Sequence, residues 1–83
     1  MKAVISKNGK EVRTYSKPSF ASTHNFTNAD VISYFKNQIV GGFFSEYLIK
    51  YDDSKIYDDN NNVICESEQT NFEYADYQIN IEV

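Results

Sequence analysis

The sequence is poor in the residues that usually announce chemistry. Among its 83 residues there is one cysteine, one histidine and no tryptophan. Cys65 has no second cysteine to pair with, so the fold must hold without an internal disulfide, which fits a reducing compartment. No stretch approaches the roughly 20 apolar residues of a membrane helix. The opening MKAVISKNGKEV has no apolar run of signal-peptide length. The expected location is therefore the cytoplasm, with no membrane contact. There is no CxxC, no HExxH and no glycine loop to cradle a phosphate, so the expectation is a non-enzyme with no metal and no cofactor. His24 has no orienting carboxylate or second ligand near it in sequence and reads as an exposed loop residue. Cys65 lies within Val63-Ile64-Cys65, where a thiol acts as a small hydrophobe. Asp58 to Asn62 imitates a calcium loop only briefly. Counted from Asp58, the positions that need Gly and Glu are occupied by Val63 and Gln69, so the segment reads as a turn. The glycosylation triplet Asn25-Phe26-Thr27 is read as chance.

What is present describes one small domain, residues 1–83. Hydrophobic residues at 41% and charged residues at 24% are ordinary for a globular chain. At this length folding buries about 60–65% of the unfolded surface, enough for one modest core. Seven Tyr and six Phe raise the aromatic share to 16%. Tyr, with its apolar ring and polar tip, suits half-exposed surfaces.

Periodicity and turn chemistry give the elements. Lys2 to Ser16 reads as a hairpin about Asn8-Gly9, because a type I′ turn needs positive φ at both centres. The register expected places Ile5 opposite Val12 and Ala3 opposite Thr14. Residues 17–26, with Pro18, read as a loop tucked onto the core by Phe20 and Phe26. A helix over 28–40 is capped by Thr27 with Asp30, stapled by Phe26 and Val31, and buries Val31, Ile32, Phe35 and Ile39. Gly41-Gly42 ends it through a left-handed cap. Residues 43–51 read as a strand with Phe43, Tyr47, Ile49 and Tyr51 on one side. Turns at 52–54 and 58–62 bracket a short extended piece at 55–57, and 63–66 is a strand. Residues 72–83 close the sheet with Tyr77, Ile79, Ile81 and Val83 inward, and a bulge or break near Ala75-Asp76. The expected fold class is α+β, order β-β-α-β-β-β, one helix on one face of a small antiparallel sheet.

Charge carries the functional hint. The net charge is −4, but residues 1–37 carry six Lys and Arg against Glu11 and Asp30, while residues 38–83 carry Lys50 and Lys55 against ten carboxylates. The basic hairpin (Lys2, Lys7, Lys10, Arg13) is set within a chain of pI 4.7, which argues against direct nucleic-acid binding. The acidic half interleaves carboxylates with rings: Tyr51, Asp52, Asp53, Tyr57, Asp58, Asp59, Glu66, Glu68, Glu73, Tyr74, Asp76 and Tyr77. Spaced carboxylates imitate phosphates before a basic groove, and Tyr adds rigid contact area. The plainer reading is solvated turns and core-facing tyrosines. In size, acidity and one-helix-on-sheet architecture the chain resembles the small phage-encoded anti-CRISPR proteins. That resemblance has no motif and carries over no residue. It implies stoichiometric binding to a CRISPR effector where that effector takes nucleic acid, in the host cytoplasm. The expected function is thus inhibition of a basic, nucleic-acid-handling protein partner. The alternative is a structural or assembly module, such as a minor phage component or an obligate oligomer.

Overall fold

A computed structural model describes residues 1–16 and 27–83. The expected loop 17–26, with His24, Phe20 and the Phe26 half of the staple, lies outside the described residues. Strands β1 (Lys2–Lys7) and β2 (Lys10–Ser16) precede helix α1 (Asn28–Gly41). Five strands follow: β3 (Lys50–Asp52), β4 (Lys55–Tyr57), β5 (Val63–Cys65), β6 (Asn71–Tyr74) and β7 (Tyr77–Glu82). They form two antiparallel sheets, not one. The larger has the order β2-β1-β7-β6 and the smaller the order β3-β4-β5. The α+β class holds, while the expected strand count is corrected: Phe72 to Val83 is a hairpin, and the second sheet stands apart.

The first turn follows its residues. Asn8 and Gly9 have φ of 53° and 79°, the paired positive values of a type I′ turn. The expected register fails beyond Ser6↔Glu11. A bulge makes Ile5 face Arg13 and Ala3 face Tyr15, leaving Val12 48% exposed. One extra residue on β2 swaps its faces, so Tyr15 and not Thr14 lies opposite the buried Ala3.

The helix N-terminus has its capping box. Thr27 Oγ1 accepts from the Asp30 N–H at 3.2 Å, and an Asp30 carboxylate oxygen accepts from the Thr27 N–H at 3.0 Å. Val31, Ile32, Phe35 and Ile39 are buried as the helical period requires, in one core with Ala3, Ile5, Phe72, Ile79 and Ile81. The far end differs from expectation. Gly41 is still helical, and Gly42 takes φ −110°, not a left-handed value. Its N–H nevertheless bonds to Gln38 O at 2.8 Å. Glycine is needed at 42 for space: a Cβ there would lie 2.7 Å from Gln38 O and 2.8 Å from Tyr15 Oη.

The expected strand over 43–51 is also corrected. Only Lys50–Asp52 is extended, and residues 42–49 run as turns, with Ser45 N–H to Gly42 O at 3.0 Å and Tyr47 N–H to Phe44 O at 2.9 Å. Aromatic packing around Phe44 overrides the strand propensity of the segment. The β6–β7 hairpin turns at Ala75 and Asp76, whose φ values are 52° and 67°. The break expected there is thus a tight reversal, pairing Tyr74 with Tyr77 and Phe72 with Ile79. Ile79 and Ile81 are buried, whereas Val83 lies past the strand and is exposed.

Candidate binding surface

Phe44 is the hub that assembles the surface. It is fully buried, and the rings of Phe43, Tyr47, Tyr74 and Tyr77 meet it edge-to-face at 5.0, 5.2, 5.7 and 5.8 Å. These contacts fix the 42–49 turn against the β6–β7 hairpin. Tyr47 and Tyr74 also touch, with centroids 5.8 Å apart and planes at 76°. Tyr47 remains 39% exposed, and the next residue, Leu48, is 73% exposed. A single exposed leucine is ordinary on a protein surface, but Leu48 shares one cavity with Tyr47 and Ile49, which gathers apolar groups at one place.

Carboxylates line a cavity beside each of the two tyrosines. Asp58 and Asp59 share a cavity of about 320 Å³ with Tyr47, Leu48, Ile49 and Lys50. Glu73, Tyr74 and Asp76 share one of about 460 Å³ with Lys7 and Tyr77. The Tyr47–Tyr74 contact links the two, so an aromatic pair connects two cavities that each hold two carboxylates and one lysine. Sequence reasoning missed Tyr47 and Leu48, because reading 43–51 as a strand turned Tyr47 inward and left Leu48 unremarked.

The other expected site residues are elsewhere. Asp52 and Asp53 sit at the opposite end of the small sheet from Asp58 and Asp59, with β4 between them. Tyr51 pairs with the buried Ile56, and Tyr57 pairs with Lys50. Tyr51, Asp52, Tyr57, Lys50 and Asn61 line another groove of about 390 Å³, which shares Lys50 with the Tyr47–Leu48 cavity. Glu66 is exposed and lies 3.8 Å from Lys55, an ion pair worth little in water. Glu68 is exposed in the turn after β5. The acidic half is therefore not one face. Nor do the halves stay apart, because Lys7 sits over the Tyr77 ring at 5.1 Å beside Glu73 and Asp76.

Asp58 has a local task. One of its carboxylate oxygens accepts the backbone N–H groups of Asn60 and Asn62, both at 2.9 Å. The Asn62 N–H is the main reason its pKa falls below the ordinary aspartate value; burial opposes this and the Asn60 N–H adds to it. Asp58 thus clamps the turn that presents Asp59.

A second missed residue is Lys36, which has no solvent exposure. The signal was in the sequence: position 36 lies on the stripe formed by Ile32, Phe35 and Ile39. Its ammonium donates to Ser54 O at 3.1 Å, Glu66 O at 2.6 Å and Ser67 O at 3.0 Å. All three of its donors are used, which is what makes a buried lysine tolerable. Ser33 and Ser54 hydroxyls also meet at 2.6 Å. These bonds hold the turns carrying Asp53 and Glu66 to the helix. Cys65 is buried, and burial raises its thiol pKa despite the nearby Lys36 charge. A protonated, enclosed thiol is a poor nucleophile.

A further cavity of about 660 Å³ is lined by Val4, Ser6, Gln69, Asn71, Gln78 and Asn80, among others. Its polar lining is mostly amide side chains, with the Ser6 hydroxyl and the Glu73 carboxylate. Among the described residues no group of three or more His, Cys, Asp and Glu could hold a metal, and no helix is long and apolar enough to cross a membrane. No protein-family model, curated protein or solved structure matches the chain.

Proposed function

We propose that the chain is a stoichiometric binding protein that covers a basic, nucleic-acid-handling surface on a protein partner and thereby inhibits it. One observation carries the reading: the exposed Leu48 and Tyr47 share a cavity with Asp58 and Asp59, and Tyr47 touches Tyr74, which shares the next with Glu73 and Asp76. The apolar centre supplies affinity, and the carboxylates select a partner of opposite charge and steer it. The working surface is narrower than the whole acidic half, and it excludes Asp52, Asp53, Glu66 and Glu68. The partner class is one that normally holds phosphates, of which a CRISPR effector is an example.

The test is a panel of purified nucleic-acid-handling proteins, CRISPR effectors included, each holding a labelled oligonucleotide. The expected result is release of label saturating at one chain per partner. Release by no member of the panel, together with retention of the oligonucleotide by the chain itself, would sink the reading. The same exposed Leu48 would also serve a self-associating assembly module. In that case the solution mass is a fixed multiple of the 9.6 kDa chain and Leu48→Asp returns it to monomer.

A further inference from the structure

The chain shows how its tyrosines receive cations. The guanidinium of Arg13 lies over the Tyr15 ring at 4.8 Å, and the ammonium of Lys7 lies over Tyr77 at 5.1 Å. Among the described residues these are the cation–ring contacts; Tyr47 and Tyr74 have none of their own. Their rings stand at 76° to one another, so they form a corner and not a flat stack. Carboxylates outnumber lysines in the cavity beside each ring, Asp58 and Asp59 against Lys50 by Tyr47, and Glu73 and Asp76 against Lys7 by Tyr74.

Two cation chemistries compete for such a corner. A lysine ammonium is a compact, strongly hydrated charge that gains from a carboxylate or a ring but covers neither well. An arginine guanidinium is planar and weakly hydrated, stacks on a ring, and directs its edge N–H groups at a carboxylate at the same time. Rings next to paired carboxylates favour the second, and the exposed Leu48 alongside favours an apolar neighbour on the same segment.

From this we infer that the Tyr47–Leu48–Tyr74 patch binds an arginine-bearing segment of its protein partner, with an apolar residue between the arginines, and discriminates arginine from lysine. This rests on the reading of the patch as a partner surface and names the ligand chemistry it takes.

The experiment uses the full chain and two synthetic peptides of equal charge. One has four arginines spaced by glycine and leucine, and its twin has lysine at each arginine. Affinity is measured by titration and the site by amide chemical-shift mapping. The arginine peptide should bind about fivefold tighter or more, as expected for cation–ring stacking at a partly exposed site. The largest shifts should fall at Tyr47, Leu48, Asp59 and Tyr74. Tyr47→Leu with Tyr74→Leu should bring the ratio near one, whereas Tyr47→Phe, which keeps the ring and the contact with Phe44, should preserve it. Equal affinity with shifts at the patch overturns the arginine inference and leaves the acidic surface standing. Shifts centred on Asp52, Asp53 or Glu68 overturn both, as does the binding of neither peptide.

Discussion

The Lys36 ammonium and the Cys65 thiol converge on one oxygen: Glu66 O accepts from Nζ at 2.6 Å and from Sγ at 3.7 Å. The thiol also reaches Gln69 O at 3.6 Å. A charged donor and a weak one therefore close the same turn from inside, and among the described residues no carboxylate pairs with the ammonium. The turn after β5 is held to the helix through this point.

Lys36→Met tests that dependence. Methionine keeps most of the volume but removes the ammonium donor from three part-buried carbonyls, leaving Glu66 O only the weak thiol. Each unsatisfied group costs about 1–3 kcal/mol, partly offset because no ammonium need be desolvated, so a net loss of about 2–4 kcal/mol is expected. Urea unfolding should show a lower midpoint with an unchanged slope. An unchanged midpoint would mean that the carbonyls find water and that Lys36 is not a tether.

The two glycines at the helix end should behave oppositely. Gly41→Ala meets nothing within 4 Å in a helical position, and should be neutral or stabilising by about 0.5–1 kcal/mol. Gly42→Ala drives a Cβ against backbone Gln38 O and against Tyr15 Oη, which itself accepts from the Phe43 N–H at 3.2 Å. Forced overpacking of this kind costs about 1–3 kcal/mol. Thermal melts of the two variants should move apart, and equal melting temperatures would refute the steric account of Gly42.

Much of the fold was legible in the residues because the signals were local. Asn8-Gly9, the Thr27–Asp30 box and the stripe Val31-Ile32-Phe35-Ile39 each act within a few positions, and each is present as read. The failures share a cause, which is that the decisive neighbour is far along the chain. The bulge opposite Ile5 is set by pairing over many residues. The 42–49 segment has strand-like composition, yet Phe44 is gathered by Tyr74 and Tyr77 some thirty positions later. The burial of Lys36 follows from its place on the helix stripe, but its acceptors, Ser54, Glu66 and Ser67, arrive only on folding. The candidate surface was half legible for the same reason. Its carboxylates could be read from composition, but its apolar centre depends on the turn at 42–49.

The proposed surface makes a positional claim that charge alone does not. Asp59 shares a cavity with Tyr47 and Leu48, and Asp76 one with Tyr74, whereas Asp52 and Asp53 lie beyond β4 on the other end of the small sheet. Asp59→Lys combined with Asp76→Asn changes both rims while sparing Asp58, which clamps its own turn, and Asn tolerates the positive φ at 76. That pair should weaken a partner found by oligonucleotide release by about tenfold or more, mainly through slower association at low salt. Leu48→Ala should cost about 1–2 kcal/mol of binding at any salt, because the lost contact is apolar. Asp52→Lys with Asp53→Asn makes a comparable charge change and should matter little, as should Lys10→Glu at the hairpin tip. Salt dependence separates the two kinds of contact, since exposed attractions are screened beyond about 8 Å at physiological ionic strength and apolar ones are not. If the Asp52–Asp53 variant loses the partner while the Asp59–Asp76 variant keeps it, the working surface is the groove of Tyr51 and Tyr57. The exposed leucine is then an ordinary surface residue.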